Sequence, residues 1–226
     1  MTICLSDRRV CMTINDAIYK LDNLFLKYNI KDKQNILGYR NNFMEYVKSL
    51  ERKDLQQEYN KKEFLYEFME LQKAVGLSVD LLNNYTMVLT SSNKNLGQCF
   101  TPHGLVELLS KLIVEESQDD NITTFYDCAG GTGSTVIKAY YDWQEKQAFI
   151  NSFNHIIEVD EYDLYNCYCC IFNIIIRGLN GIVRNKNTIT NETFVVFIAT
   201  NKMTYDYDFK WFSDYKTIQG DEMYEF

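Results

Sequence analysis

The chain has 226 residues, 46% of them hydrophobic and 15% aromatic, enough to bury a core and too apolar for a disordered chain. Its formal net charge of −8 divides unevenly, +2 over residues 1–95 and −10 over the remainder. The C-terminal part therefore lacks the clustered Lys and Arg that gain affinity from duplex phosphates, and unaided DNA binding by it is not expected.

Thr13 is read as the N-cap of a first helix, with Asp16 three residues on and Ile14, Ala17, Ile18, Leu21, Leu24 and Phe25 at helical spacing. Met44 to Leu55 is charged and read as helical. Phe64, Leu65, Phe68, Leu71 and Val75 form another apolar stripe, which Gly76 stops. Residues 1–95 are thus expected to be an α-helical N-terminal subdomain. The polar segment TSSNKNLG, residues 90–97, has no periodicity and marks the boundary with a second domain over 96–226.

Beyond that boundary helices and strands alternate. Thr101 to Glu116 is read as a helix with Thr101 as N-cap, Pro102 at its first position, and Leu105, Val106, Leu108, Leu109, Leu112 and Ile113 turned inward. Thr124 to Cys128 is a short strand, followed by a glycine turn and a helix to about Tyr141. Phe153 to Val159 is a strand, and Tyr162 to Arg177 an apolar helix stopped by Gly178. Gly181 to Arg184 and Phe194 to Thr200 complete the strands. The alternation predicts a parallel α/β sheet.

The longest apolar run, around Tyr168 to Ile176, is interrupted by Asn173 and is about half of what a membrane span needs. Asp7, Arg8 and Arg9 break the apolar residues at the N-terminus, so no signal peptide is read there and a cytoplasmic location is expected. Seven cysteines, Cys4, Cys11, Cys99, Cys128, Cys167, Cys169 and Cys170, form no paired framework and are read as reduced thiols. With two histidines, neither at metal-ligand spacing, no metal site is expected.

The segment FYDCAGGTGS, residues 125–134, carries the sharpest local chemistry. A strand ends in Asp127, and Gly130, Gly131 and Gly133 then turn tightly into a helix. Glycines let a ligand approach the backbone and leave N–H groups open at a helix N-terminus. Such a turn could serve a dinucleotide, or merely close a strand–helix corner. Glu158, with Asp160, closes the next strand, where a carboxylate can accept both hydroxyls of a ribose. Asp160 and Glu161 would equally suit the start of the following helix.

Three segments taken together, GQCFTP at 97–102, DCAGGTGS at 127–134 and EVDEYDLYNCYCCIFNIIIRG from 158, resemble the N6-adenine DNA methyltransferases. The likeness is greatest to the modification subunits of type I restriction systems. It implies S-adenosylmethionine as cofactor, with Phe100 and Thr101 flanking its methionine moiety. Asp127, Gly130, Gly131 and Gly133 would face its amino-acid end, and Glu158 would hold its ribose. It also implies a Rossmann-like cofactor domain.

The family's catalytic motif, Asn or Asp followed by two prolines and an aromatic, falls at Asn201-Lys202-Met203-Thr204-Tyr205. Asn201 is in place, both prolines are missing, and Tyr205 stands one residue late. Asn187 stands about where the family has an acidic residue near an adenine. Only 21 residues follow Tyr205, against three further strands in the family. The expected fold is an incomplete Rossmann-like, S-adenosylmethionine-dependent methyltransferase domain behind a helical subdomain. Trp211, Phe212, Tyr215 and Tyr224 would then cover the short sheet's edge or meet a partner.

The expected function is a cofactor-binding, catalytically degenerate protein that acts through interaction, with anti-restriction in a mobile element as one such role. Its partner would be a restriction–modification or other defence protein, or a second copy of the chain. The alternative is an active small or heteromeric adenine-N6 methyltransferase using Asn201 and Tyr205.

Overall fold

A computed structural model describes residues 12–31, 38–51, 59–90, 101–116, 124–146, 155–201 and 214–219. Four helices come first: α1 (Ile14–Lys27), α2 (Gly38–Glu51), α3 (Tyr59–Val75) and α4 (Leu81–Thr90). Thr13 caps α1 as its sequence predicts, its Oγ1 accepting from the Asp16 N–H at 3.2 Å. Gly76 ends α3 at φ +116°, a left-handed conformation that glycine adopts without a Cβ clash. Helix α4 lies in a stretch where no element was read. Asp80 starts it, accepting the Asn83 N–H at 2.9 Å.

Helix α5 (His103–Glu116) leads into β1 (Thr124–Asp127), α6 (Ser134–Lys146), β2 (Ile156–Glu161), α7 (Leu164–Ile176), β3 (Asn180–Asn187), β4 (Glu192–Thr200) and β5 (Asp214–Gln219). The five strands form one sheet in the order β1-β2-β3-β4-β5. The first three pair in parallel, with Phe125 opposite Ile157 and Ile157 opposite Gly181. The rest is antiparallel: β4 returns on β3, with Phe197 opposite Val183, and β5 returns on β4. The fold is α/β, but its sheet is mixed where sequence predicts a parallel one. Residues 188–191 join β3 to β4, and a parallel crossover needs a dozen residues or more. Asn187 builds that turn, its Oδ1 accepting from the N–H groups of Ile189 and Thr190 at 3.1 and 3.2 Å. Strand β5, which includes Tyr215, covers the outer edge of β4; Trp211, Phe212 and Tyr224 lie outside the described residues.

Helix α7 is buried from Tyr165 to Ile176 because it has partners on both sides. Phe172 meets Phe43 and Phe68 edge-on, at centroid distances of 5.2 and 5.0 Å, and Tyr165 meets Tyr39 at 5.9 Å. Towards the sheet, Tyr168 packs on Phe197 at 4.9 Å. Edge-to-face rings add about 0.5–1.5 kcal/mol each beyond the area they bury. The hydrophobic cluster runs without a break from Ala17 in α1 to Ala199 in β4, so the helical part and the sheet share one core. Among the described residues no helix is long and apolar enough to cross a membrane.

Helix α5 departs from its expected orientation. Val106, Ser110 and Val114 are the buried residues, an i, i+4 ridge against α6, with Ser110 Oγ donating to Asp142 Oδ2 at 2.5 Å. Leu105, Leu108, Leu109, Leu112 and Ile113, expected inside, face outward. The helix packs chiefly on α6, and one packing partner buries one ridge.

The sheet face opposite α7 carries a charge ladder. Asp160 Oδ2 accepts from the Tyr126 hydroxyl at 2.9 Å, and its Oδ1 from Arg184 Nη1 at 3.1 Å. Lys186 Nζ lies 3.2 Å from the same carboxylate. Burial pushes the Asp160 carboxyl up, but hydrogen bonds from Arg184, Tyr126 and Lys186 outweigh it and hold the group below the usual carboxylate range. A depressed folded pKa contributes stability above the unfolded value of about 3.9, and that stability is lost as pH falls through the lower folded value. Asp160→Asn is therefore expected to destabilise the protein by about 1–3 kcal/mol at pH 7 and to flatten the acid limb of its urea stability profile below pH 4. An unchanged acid limb would show that the ladder contributes nothing.

Candidate functional site

The glycine turn sits at the carboxyl end of β1. Asp127 Oδ1 accepts the Ala129 N–H at 3.0 Å, the Gly130 N–H donates to the Asp160 carbonyl at 3.2 Å, and the Gly133 N–H closes on the Gly130 carbonyl at 2.8 Å. Its three glycines answer different constraints. A Cβ at Gly130 would stand 2.8 Å from Val159 Cγ1, and one at Gly133, φ +88°, 2.8 Å from Cys170 Sγ. Gly131, φ +58°, has nothing within 4 Å of that position. Two glycines thus let the turn lie tight on β2 and α7, and the third leaves space over the backbone. Gly133→Ala is expected to lower stability by about 2–4 kcal/mol and Gly131→Ala by only about 1 kcal/mol, as read by urea unfolding. Equal losses would contradict this division.

A buried polar network holds the turn from behind. Asp80 Oδ2 accepts from the Ser134 hydroxyl at 2.7 Å and from the Thr132 hydroxyl, and its Oδ1 accepts from Asn173 Nδ2 at 3.0 Å. Asn173 Nδ2 also donates to the Thr132 carbonyl at 3.1 Å. Arg177 Nη1 donates to the Asn173 carbonyl and Oδ1 at 2.8 and 3.0 Å, and its Nε and Nη2 reach the Leu77 and Val79 carbonyls at 2.8 and 2.9 Å. Burial lowers the Arg177 pKa, though it remains a cation at physiological pH. Sequence reading missed this network. Its one local sign was Asn173 amid an apolar helix, since a buried amide requires partners.

In front of the turn lies a cleft of about 500 Å³, whose lining includes Asp127, Gly131, Thr101, Glu161, Asp163 and Asn166. The Thr101 carbonyl accepts from Asn83 Nδ2 at 3.1 Å, which ties this wall to α4. Glu161 bridges two backbone donors, its Oε2 accepting the Gly131 N–H at 2.9 Å and its Oε1 the Asp163 N–H at 2.8 Å. Asp163 caps α7 through the Asn166 N–H at 2.9 Å and pairs with Arg40 Nη2 at 3.1 Å. Asn166 is 6% exposed, and its Oδ1 has no hydrogen-bond partner among the described residues. None of the described lining residues is basic. The cleft therefore offers acceptors and carboxylates to a ligand that carries hydroxyls, N–H donors or positive charge, and it disfavours phosphates.

Of the residues singled out from sequence, Thr101, Asp127, Gly130 and Gly131 meet at this cleft. Gly133 stands behind it, against α7. Glu158 is mid-strand, opposite Tyr126, and its Oε2 accepts from Arg184 Nη2 at 2.6 Å outside the lining. Strand β2 runs on to Glu161, so the carboxylate at the strand's end is three residues later than expected. Asn201 follows β4, and its N–H donates at 2.8 Å to Asn180 Oδ1 at the start of β3. Because β4 runs antiparallel, this is the end of the sheet away from the glycine turn. Phe100 and Tyr205 lie outside the described residues. The thiols of Cys167, Cys169 and Cys170 are buried in α7, and burial raises all three pKa values.

The family model described as N-6 DNA Methylase matches residues 80–225, from the buried Asp80 through β5. No curated protein and no solved structure matches the chain.

Proposed function

The chain belongs to the N-6 DNA methylase family, and from that premise we propose that its cleft binds S-adenosylmethionine while the chain alone transfers no methyl group to DNA. One observation carries this reading: the glycine turn, Asp127 and Glu161 are assembled at one end of the sheet, and Asn201 is at the other. The parallel β1–β3 unit is then the remnant of a Rossmann-like cofactor domain.

The residues present fit the cofactor. Asp127 is placed to accept from a cationic amino group, and Glu161, rather than Glu158, to accept ribose hydroxyls at the end of β2. The orphaned Asn166 Oδ1 supplies an acceptor for a ligand N–H. Gly131, open above its Cα, lets the ligand lie on the backbone. The cofactor would supply an electrophilic methyl group. Acceptance of that group by adenine needs an Asn and prolyl carbonyl beside the flipped base, and Asn201-Lys202-Met203 lacks both prolines.

On this reading the protein acts through interaction, with a restriction–modification or other defence protein as partner and the −10 C-terminal part as an anionic surface for it. Calorimetric titration of the chain with S-adenosylmethionine tests the cofactor site. Micromolar binding is expected, and absence of binding would reduce the turn to architecture. Labelled-methyl transfer tests the rest. Transfer to DNA that is lost in Asn201→Ala would establish the alternative, an active small or heteromeric methyltransferase. Addition of the protein to a purified type I complex tests the partner; neither binding nor altered activity would overturn that role.

A further inference from the structure

Arg40 ties the N-terminal helices to the rim of the cleft. It belongs to α2, which precedes the residues 80–225 matched by the family model. Its guanidinium lies over the Tyr165 ring, 4.2 Å from the centroid, and its Nη2 donates to Asp163 Oδ1 at 3.1 Å. From there hydrogen bonds run on to the glycine turn. The Asp163 N–H donates to Glu161 Oε1 at 2.8 Å, and Glu161 Oε2 accepts the Gly131 N–H at 2.9 Å. Asp163, Glu161 and Gly131 all line the cleft, and Arg40 does not.

Docking of α2 on α7 does not depend on this guanidinium. Phe43 on Phe172 and Tyr39 on Tyr165, at centroid distances of 5.2 and 5.9 Å, already pack the two helices. Helix α7 does not need it for its cap either, since the Asn166 N–H donates to Asp163 Oδ1 at 2.9 Å. The guanidinium also sits at a cost: its Nε is buried and has no hydrogen-bond partner among the described residues. A buried donor left unsatisfied where packing does not require the group marks a position kept for a site.

We propose that Arg40 is a positioning residue of the cleft, a role that rests on the reading of that cleft as an S-adenosylmethionine site. By fixing Asp163 it keeps the 161–163 turn in place and so aims the Glu161 carboxylate at the ligand. The sign of its effect separates positioning from charge. A guanidinium that merely neutralised Asp163 would oppose a cationic ligand, so its removal would tighten binding. Loss of positioning loosens binding.

Arg40→Met keeps an apolar stem against Tyr165 and removes the charge and the donors. Calorimetric titration at about 0.5 M salt, where through-space charge effects are screened beyond roughly 4 Å, is expected to show S-adenosylmethionine affinity about tenfold below the parent's. In a Glu161→Gln background the same substitution should add less than about twofold, because both changes act through one carboxylate. Hydrogen exchange in the ligand-free protein gives a readout independent of the cofactor. The Gly131 and Asp163 amides should exchange about tenfold faster in Arg40→Met, while amides of α1 and α3 keep the parent's rates. Equal or tighter binding by Arg40→Met overturns the proposal. So does full additivity with Glu161→Gln, or exchange that rises throughout the chain rather than at those two amides. If the parent binds no S-adenosylmethionine, the cofactor reading fails, and the exchange rates alone decide whether Arg40 holds the turn.

Discussion

Replacing Asp80 by alanine is expected to lower the free energy of unfolding by about 3–5 kcal/mol, read as a fall in the urea midpoint at unchanged slope. Four groups depend on that carboxylate: the hydroxyls of Thr132 and Ser134, the Asn173 amide, and the N–H of Asn83 at the start of α4. Asp80 is only 4% exposed, so water cannot simply replace it, and each orphaned donor carries its own desolvation penalty. Arg177, 8% exposed, would also lose the one acidic charge the network sets near it. Asp80→Asn keeps the volume and one acceptor oxygen, and is expected to lose less, about 1–3 kcal/mol. Because Thr132 and Ser134 belong to the glycine turn, Asp80→Ala should also weaken S-adenosylmethionine binding under conditions where the variant remains folded. A loss below about 1 kcal/mol would mean that the network relaxes around the vacancy and does not position the turn.

What sequence made legible was local. Thr13 with Asp16 fixes a helix start, Gly76 a helix end, and an apolar segment between Asp163 and Gly178 can only be a buried helix. The glycine turn was legible for the same reason, its residues being contiguous. What sequence hid depends on direction and on distant partners. Asn201 matches the catalytic motif by its place after the fourth strand, and in a parallel sheet that end would adjoin the glycine turn, whereas the short 188–191 connection sends β4 back antiparallel. Glu158 reads as the strand's end because the apolar segment from Phe153 stops at Val159 and acidic residues follow, while pairing with β3 carries β2 on to Glu161. The stripe on α5 was read inward because periodicity states which residues share a face, not what covers that face. The part Asp80 plays behind the glycine turn gave no local signal, since Thr132 and Asn173 lie 52 and 93 residues further along the chain.

Binding measurements can separate the two candidate ribose carboxylates. Asp127→Ala is expected to weaken S-adenosylmethionine binding about 10–100-fold, the value of one charge-assisted hydrogen bond to a cationic amino group. Glu161→Gln is expected to weaken it about tenfold or more, for a reason already present in the free protein. Each Glu161 oxygen accepts one backbone N–H, from Gly131 and from Asp163, and each keeps a lone pair directed elsewhere. The carboxylate can therefore accept ribose hydroxyls without leaving the turn. A glutamine has one oxygen for two N–H donors, so its NH₂ must face one of them, and the turn loosens as the acceptor is lost. Glu158→Gln provides the contrast. It breaks the 2.6 Å pair with Arg184 on the far sheet face and should alter affinity by less than about twofold, because Glu158 does not line the cleft. If Glu158→Gln instead removes binding and Glu161→Gln does not, the ribose belongs to Glu158, and β2 must end its ligand-facing edge three residues earlier than its pairing with β3 indicates.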